Sequence, residues 1–394
     1  MIWFSLWSLV AGLSIYSGHV LFIFARIFQG IGPALTLPNG LTILGQSYSP
    51  RPRKNMSFAW FGGSAPFGAI AGFVFGGLFA FTWWPWIYWS QAIALAGVAA
   101  FAAWTIPPLP VQPTQNRTMR EKLVDLDIPG VLTGVTALVL FNFAWNQAVV
   151  VSWLPYVYVC LILGVLFGVT FFCIEVYWAK TPIVPLASFN TDIAFVFACT
   201  ATGWACFGIW VFYVGQVALN IEGNPPLQMA AWFLPIIPSG LISALAVGKL
   251  LGKIPASWIM VVGQVAYLAG SILAATRPVE SIYWTYYFLS VLVITVGMDT
   301  SFPAATIIFS NAVPQQYQGM GASVVLTIVN YSISIGLGMA GTVETHINHG
   351  GKTDSDILLG YRGALWLGVG LAGLGLALSL IYVAKGHWDK TSRT

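Results

Sequence analysis

Charge is nearly missing from this sequence. Lysine, arginine, aspartate and glutamate make up 7% of its 394 residues, against 58% hydrophobic residues, whereas soluble domains carry roughly 25% charged residues. So little charge cannot cover a water-exposed surface. A soluble globular protein is excluded, and the bulk of the chain belongs in lipid, in keeping with a mean hydropathy of +0.80. Basic clusters are missing too: the net charge is +4, and no Lys/Arg run is long enough to hold nucleic acid. Cysteine is scarce. The four cysteines, Cys160, Cys173, Cys199 and Cys206, sit in apolar runs without C-x-x-C or Cys/His spacing, and they read as small hydrophobes. Glu344, His346 and His349 fit no zinc spacing and are expected in a solvated loop, so no metal is expected. There is no G-x-x-x-x-G-K-S/T loop, no H-E-x-x-H and no Ser- or Cys/His-based nucleophile signature. Neither an enzyme nor an ATP-driven pump is expected, and no cofactor. An ion gradient is the simplest driving force for a membrane protein with ionisable groups inside its spans.

What is present is apolar length. A helix needs about 20 apolar residues to cross the hydrocarbon core, and twelve candidate spans appear: 2–16, 20–45, 57–82, 86–106, 128–146, 153–178, 193–218, 226–249, 256–275, 281–310, 317–343 and 358–384. The first lacks the basic region of a signal peptide and reads as a membrane helix. Lys and Arg set orientation, because cytoplasmic loops carry their excess. With the N-terminus inside, twelve of the sixteen lie on the inner side, Arg277, Lys352 and Arg362 lie outside, and Arg26 lies within a span. Both termini are therefore expected in the cytoplasm. The connector 107–127, rich in proline and mixed charge, reads as a cytoplasmic linker, which leaves the sequon at Asn116 without a glycan.

Few polar residues interrupt these spans. Asp299, in "ITVGMDTSFPAATIIF", is expected past the midpoint of its helix, towards the cytoplasmic half. An intramembrane acid costs roughly 2.5–3.5 kcal/mol on insertion scales, and such residues are usually functional. Low dielectric favours the neutral carboxyl, which suits proton coupling; the alternative is a structural acid bonded to Thr300 or Ser301. Pro303, four residues on, removes a backbone donor and favours a kink. Arg26 faces either a central cavity or, by snorkelling, the interface, with Gln29 a turn further on. Asn39, Asn142, Trp145, Tyr213, Gln216, Gln264, Asn330 and Tyr331 are cavity-lining candidates; for any single one, an interhelical hydrogen bond is the simpler reading. Glu175, near a helix end, reads as a structural acid reaching water or Lys180. Gly68, Gly72 and Gly76 recur at four-residue spacing, which permits close helix packing or a sliding surface.

An internal repeat adds organisation. "GPALTLPNGLTIL" from Gly32 and "GMDTSFPAATIIF" from Gly297 align at an offset of about 265 residues, so that Pro38 faces Pro303 and Thr36 faces Ser301. Parallel repeats of this kind are a mark of transporters. "ARIFQGIGPAL", from Ala25, resembles the R-x-x-Q-G-x-G-x-A motif of the major facilitator superfamily, and "AWFGGSAPFGAIAGFVFGGLFA" resembles its antiporter helix in degenerate form. "LFNFAWNQ" is similar to the extra helices of the fourteen-helix drug:proton antiporters. "MDTSFPAATIIFSNAVP" and "VNYSISIGLGMAGTVE" look like the fungal aminotriazole-resistance branch of that group.

The resemblance covers essentially the whole chain and implies an all-α membrane protein, a major-facilitator-type helical bundle whose twelve helices correspond to numbers three to fourteen of fourteen. It implies an incomplete N-terminal bundle at 1–106, the linker 107–127, two additional inter-bundle helices at 128–180, a C-terminal six-helix bundle at 181–385 and a cytoplasmic tail at 386–394. The activity it implies is proton-coupled efflux of a small drug-like or toxic solute by alternating access in the plasma or vacuolar membrane. Asp299 would carry the proton, Arg26 would be its electrostatic partner, and the protein would act as a monomer in the bilayer. An importer of the same fold, and a truncated or non-transporting membrane protein, are the alternatives.

Overall fold

In lipid every backbone N–H and C=O must find its partner within the protein, and a long apolar run does so as a helix. The computed structural model describes residues 1–47, 52–106, 126–151, 153–179, 182–184, 189–251, 253–313 and 321–391. Among these, regular structure is helical, apart from one isolated bridge between Leu251 and Ile254. In chain order the helices are α1 Ile2–Leu13, α2 His19–Ser47, α3 Pro52–Ala80, α4 Pro85–Thr105, α5 Ile128–Val151, α6 Pro155–Cys173, α7 Thr191–Gln216, α8 Pro226–Trp232, α9 Ile236–Leu250, α10 Ala256–Ala275, α11 Tyr287–Ala312, α12 Gly321–Ile347 and α13 Asp354–Thr391. Five-residue π turns, Ile174–Trp178 and Val217–Ile221, extend α6 and α7. Proline begins α3, α4, α6 and α8, where its missing N–H costs no helical bond. Asn190 caps α7 by accepting from the Ile193 N–H at 3.0 Å, satisfying one orphan donor.

All twelve expected spans correspond to helices. Ten stretches are long and apolar enough to cross a membrane, counting Pro226–Leu250 as one, and the shorter apolar helices Ile2–Tyr16 and Ser64–Ala80 occupy the first and third positions. Boundaries shift by several residues, and three differences bear on the site. The span expected from 281 begins at Tyr287 because 283–286 fold as turns. The span expected to end at 343 continues to Ile347, so Glu344 and His346 are helical and not part of a loop. The Pro226–Leu250 span breaks into α8 and α9 at the turn 233–235, where Pro235 cannot donate to the carbonyl one turn back. The linker 107–127, except its last two residues, and the inner-side cations Arg51, Arg117, Arg120, Lys122, Lys180 and Arg393 lie outside the described residues.

The chain divides into two compact units, Met1–Thr114 with Asn224–Ile237, and Gln115–Gly223 with Pro238–Thr394. In the first, α1 packs on α2 and α4. Its outlying segment 224–237 falls within the range expected for the C-terminal bundle, yet α8 packs on α3. There Phe73 stacks on Phe233 with ring centroids 5.3 Å apart, and Gly77 comes so close that an added Cβ would lie 3.2 Å from the Leu227 nitrogen. In the second unit α10 and α11 are the most closely joined pair, and α5, paired with α6, also packs on α12. A buried cluster including Val196, Met260, Ala304, Phe309 and Val325 forms its core. Because lipid tails are as apolar as leucine, such packing acts through van der Waals contact and close backbone approach.

Candidate functional site

Asp299 is the thirteenth of the 26 residues of α11, about 18 Å along it at 1.5 Å per residue. The late start of α11 therefore puts it at the helix midpoint, not in the cytoplasmic half as expected. It belongs to a half-buried stripe, Leu292, Val296, Asp299, Pro303 and Thr306, whose spacing of three and four residues marks one helix face. The opposite face, with Gly297, Thr300, Ser301 and Ala304, is buried. The hydroxyls expected to hold Asp299 in a structural role point elsewhere. Thr300 Oγ1 donates to the Val296 carbonyl at 2.7 Å. Ser301 Oγ meets the Tyr267 hydroxyl at 3.1 Å. Asp299 Oδ2 is buried without a hydrogen-bond partner among the described residues. Pro303 lies inside the helix, and its missing N–H leaves the Asp299 carbonyl without the usual i+4 donor. One residue thus carries both a lone carboxyl and a released backbone acceptor, a place where a proton or a donor from a solute can be received.

The helices that hold Asp299 in place meet through glycine. A Cβ on Gly263 would lie 2.7 Å from Thr300 Oγ1, one on Gly270 would lie 3.0 Å from Ile294, and one on Gly297 would lie 2.8 Å from the Tyr267 ring. Close approach of α10 and α11 therefore fixes the orientation of the Asp299 stripe. The glycines singled out from sequence behave otherwise: a Cβ at Gly68, Gly72 or Gly76 would meet nothing within 4 Å among the described residues. Close packing on α3 occurs one residue further, at Gly77, because that is the position turned towards α8.

Arg26 lies in the first unit. Its guanidinium donates to Gln29 Oε1 and sits 5.6 Å from the centre of the Tyr88 ring, a cation–π contact. Gln29, 1% exposed, donates in turn to Ser8 Oγ at 2.6 Å and Gln91 Oε1 at 3.3 Å. One polar network thus ties α1, α2 and α4 together. Asn39, on the same helix, donates to the Leu35 carbonyl at 2.6 Å. Pro38 lies in α2, but its side chain is outside what is described.

The other candidates divide into two places in the second unit. Asn142 Oδ1 accepts from Ser334 Oγ at 3.0 Å, and Tyr331 donates to the Leu138 carbonyl at 3.2 Å; both bonds join α5 to α12. Trp145 stacks on Phe141, with its indole N–H buried and without a partner among the described residues. Asn330 is exposed and donates to the Leu326 carbonyl of its own helix. Elsewhere, Tyr213, 1% exposed, donates to Glu344 Oε2 at 2.7 Å. Asn220 donates to Gln216 Oε1 at 2.6 Å and to the Tyr361 hydroxyl at 3.1 Å. Glu344 is thus a helical carboxylate bonded across to Tyr213, hidden from sequence reading by the polar residues after it. Gln264 is fully buried and donates to the Cys199 carbonyl at 2.8 Å. Glu175 does not reach water: it is 3% exposed, and its Oε2 accepts from the Val184 N–H at 3.3 Å. Among the described residues no three His, Cys, Asp or Glu side chains gather as a metal site.

The model of the Major Facilitator Superfamily matches residues 1–338. The chain is 56% identical to "Efflux pump terG" of Aspergillus terreus over 97% of its own length and 72% of that protein's. It is 46% identical to the "Low affinity ammonium transporter" of Saccharomyces cerevisiae, over 96% and 73%. It is 38% identical to the "Aminotriazole resistance protein" of the same yeast, over 96% and 70%. Among solved structures, a POT family transporter in complex with a thioalcohol-conjugated peptide superposes with a TM-score of 0.67 at 16% identity, covering 97% of this chain and 80% of that one; at that identity the likeness shows the fold alone.

Proposed function

This chain belongs to the Major Facilitator Superfamily, and from that premise we propose that it exports a small drug-like or toxic solute in exchange for protons. It is a multi-pass membrane transporter with efflux pumps among its fungal relatives. The single observation that carries the proton reading is Asp299: a mid-helix carboxyl with one oxygen buried and unpartnered among the described residues. A protonated Asp299 lets the occluded protein reorient without carrying a bare charge through low dielectric, and an ionised one resists that movement. In this reading Arg26 tunes the proton's path electrostatically. The solute cavity draws on Gln29, Asn39, Asn142, Trp145, Tyr213, Gln216, Asn330 and Tyr331, and Gly68, Gly72, Gly76, Pro38 and Pro303 serve the movement. The protein works as a monomer, with both termini in the cytoplasm, in the plasma or vacuolar membrane, and draws on the proton gradient without a cofactor.

The test is transport by the purified protein in sealed vesicles under an imposed pH gradient. Asp299→Asn should abolish gradient-driven movement and leave membrane insertion and solute binding intact. Unchanged gradient-driven transport by correctly inserted Asp299→Asn protein removes the proton role. The similarity to an ammonium transporter favours a second reading, import of a small cation. The direction of net flux separates the two, since an exporter moves solute against the inward proton flow and an importer moves it with that flow.

A further inference from the structure

Where α5 begins and α6 ends, two acids face each other. Asp127, 7% exposed, immediately precedes α5 with a φ of 40°. Its Oδ1 accepts from the Gly130 N–H at 3.2 Å, which caps the helix. Glu175, 3% exposed, sits on the π turn after α6, and its Oε2 accepts from the Val184 N–H at 3.3 Å. One oxygen of each carboxyl remains, Asp127 Oδ2 and Glu175 Oε1, and both are buried without a donor among the described residues. These two flank one point: a Cβ on Gly130 would lie 2.0 Å from the first and 3.1 Å from the second. Glycine at 130 leaves the space around that point open, and the two oxygens lie no more than about 5 Å apart.

Two ionised carboxylates are acceptors only, and no group among the described residues offers either oxygen a hydrogen. Two like charges buried together are also strongly unfavourable, and a shared proton removes one of them. No cation contacts the pair among the described residues. α5 and the segment 182–184 bring no titratable side chain besides Asp127, and the flanking Cys173 and Tyr177 are exposed. The remaining titratable side chains of α6 are Tyr156, Tyr158 and Cys160, near its opposite end. Lys180 lies outside the described residues.

We propose that Asp127 and Glu175 form a proton-binding site, in which one proton held between two buried carboxyls latches the start of α5 to the end of α6. The site is separate from Asp299 and does not depend on the transport reading. Its sign follows from linkage. The folded protein holds a proton that the unfolded chain, with ordinary carboxylates, has already released above about pH 4.3. Stability therefore falls as pH rises, until the pair itself gives the proton up. The experiment is thermal unfolding of the detergent-purified full chain between pH 5 and 8, beside Asp127→Asn and Glu175→Gln. Each amide supplies a permanent N–H in place of the proton. Wild type should lose about 1–2 °C of apparent Tm per pH unit more than either variant. A carboxylic-acid carbonyl band in the infrared spectrum at pH 6 should disappear from both variants and persist in Asp299→Asn. Wild-type pH slopes in both variants, an unchanged infrared band, or a wild-type stability that follows sodium concentration instead of pH would each overturn the proposal. So would failure of both variants to fold at any pH, since a shared proton and an amide hydrogen satisfy the same geometry.

Discussion

In the first unit the charge set within a helix is surrounded by partners: Arg26 bonds Gln29, Gln29 bonds Ser8 and Gln91, and Tyr88 lies under the guanidinium. In the second, Asp299 has an oxygen with no partner, a proline that releases its own carbonyl, and a position on the less buried face of α11. A satisfied network fixes a geometry, and each member costs stability when removed. A lone acid adds nothing to packing and gains only by changing its protonation state. The comparison teaches that polar residues of similar rarity in sequence serve opposite ends, one holding three helices together and the other kept available.

The strongest way to break this contrast is at Asp299. Asp299→Asn should lower pH-gradient-driven transport in vesicles at least tenfold, a change of about 1.4 kcal/mol in the barrier, with little change in apparent Tm. A large fall in Tm with transport retained would reverse the assignment. Next comes the support of the stripe. Gly263→Ala places a methyl 2.7 Å from Thr300 Oγ1, and overpacking of this kind costs about 1–3 kcal/mol. Gly72→Ala meets open space and should stay within about 0.5 kcal/mol of wild type. Unfolding of the two variants side by side measures that difference. In the first unit Gln29→Leu strands Arg26, Ser8 and Gln91 together and should cost about 1–3 kcal/mol, seen as a lower unfolding temperature even in protein that transports nothing. A small effect is expected at Tyr213→Phe, which removes the bond to Glu344. A single interhelical hydrogen bond averages about 0.6 kcal/mol, so its removal should shift unfolding only slightly.

How much of this was legible beforehand varies with the kind of signal. The spans stood out because lipid demands apolar runs, and Asp299 stood out because those runs exclude charge. Which glycines admit a neighbouring helix was not legible. Gly68, Gly72 and Gly76 have the spacing but no neighbour among the described residues, whereas Gly263, Gly270 and Gly297 lie on two separate helices and form a motif only once folded. The histidines after Glu344 look solvated and suggest a loop, yet α12 runs on past it. Asp127 and Glu175 are 48 residues apart, and nothing in their local sequence announces the pairing; the glycine at 130, buried beside Asp127, was the one available hint. The fungal resemblance, read from a few short motifs, agreed with the relatives found over nearly the full chain.

The turn at 233–235 has a further consequence. Because α8 belongs with α1–α4 while most of α9 belongs with the later helices, the polypeptide changes unit before α8 and again in the middle of one membrane crossing, as well as between Thr114 and Gln115 in the connector 107–125. A protease cut within that connector would therefore not free the first four helices. They would remain clasped through α3 to α8, a segment carried by the other fragment, and two separately produced pieces divided there carry in α8 and α3 the means of finding each other again.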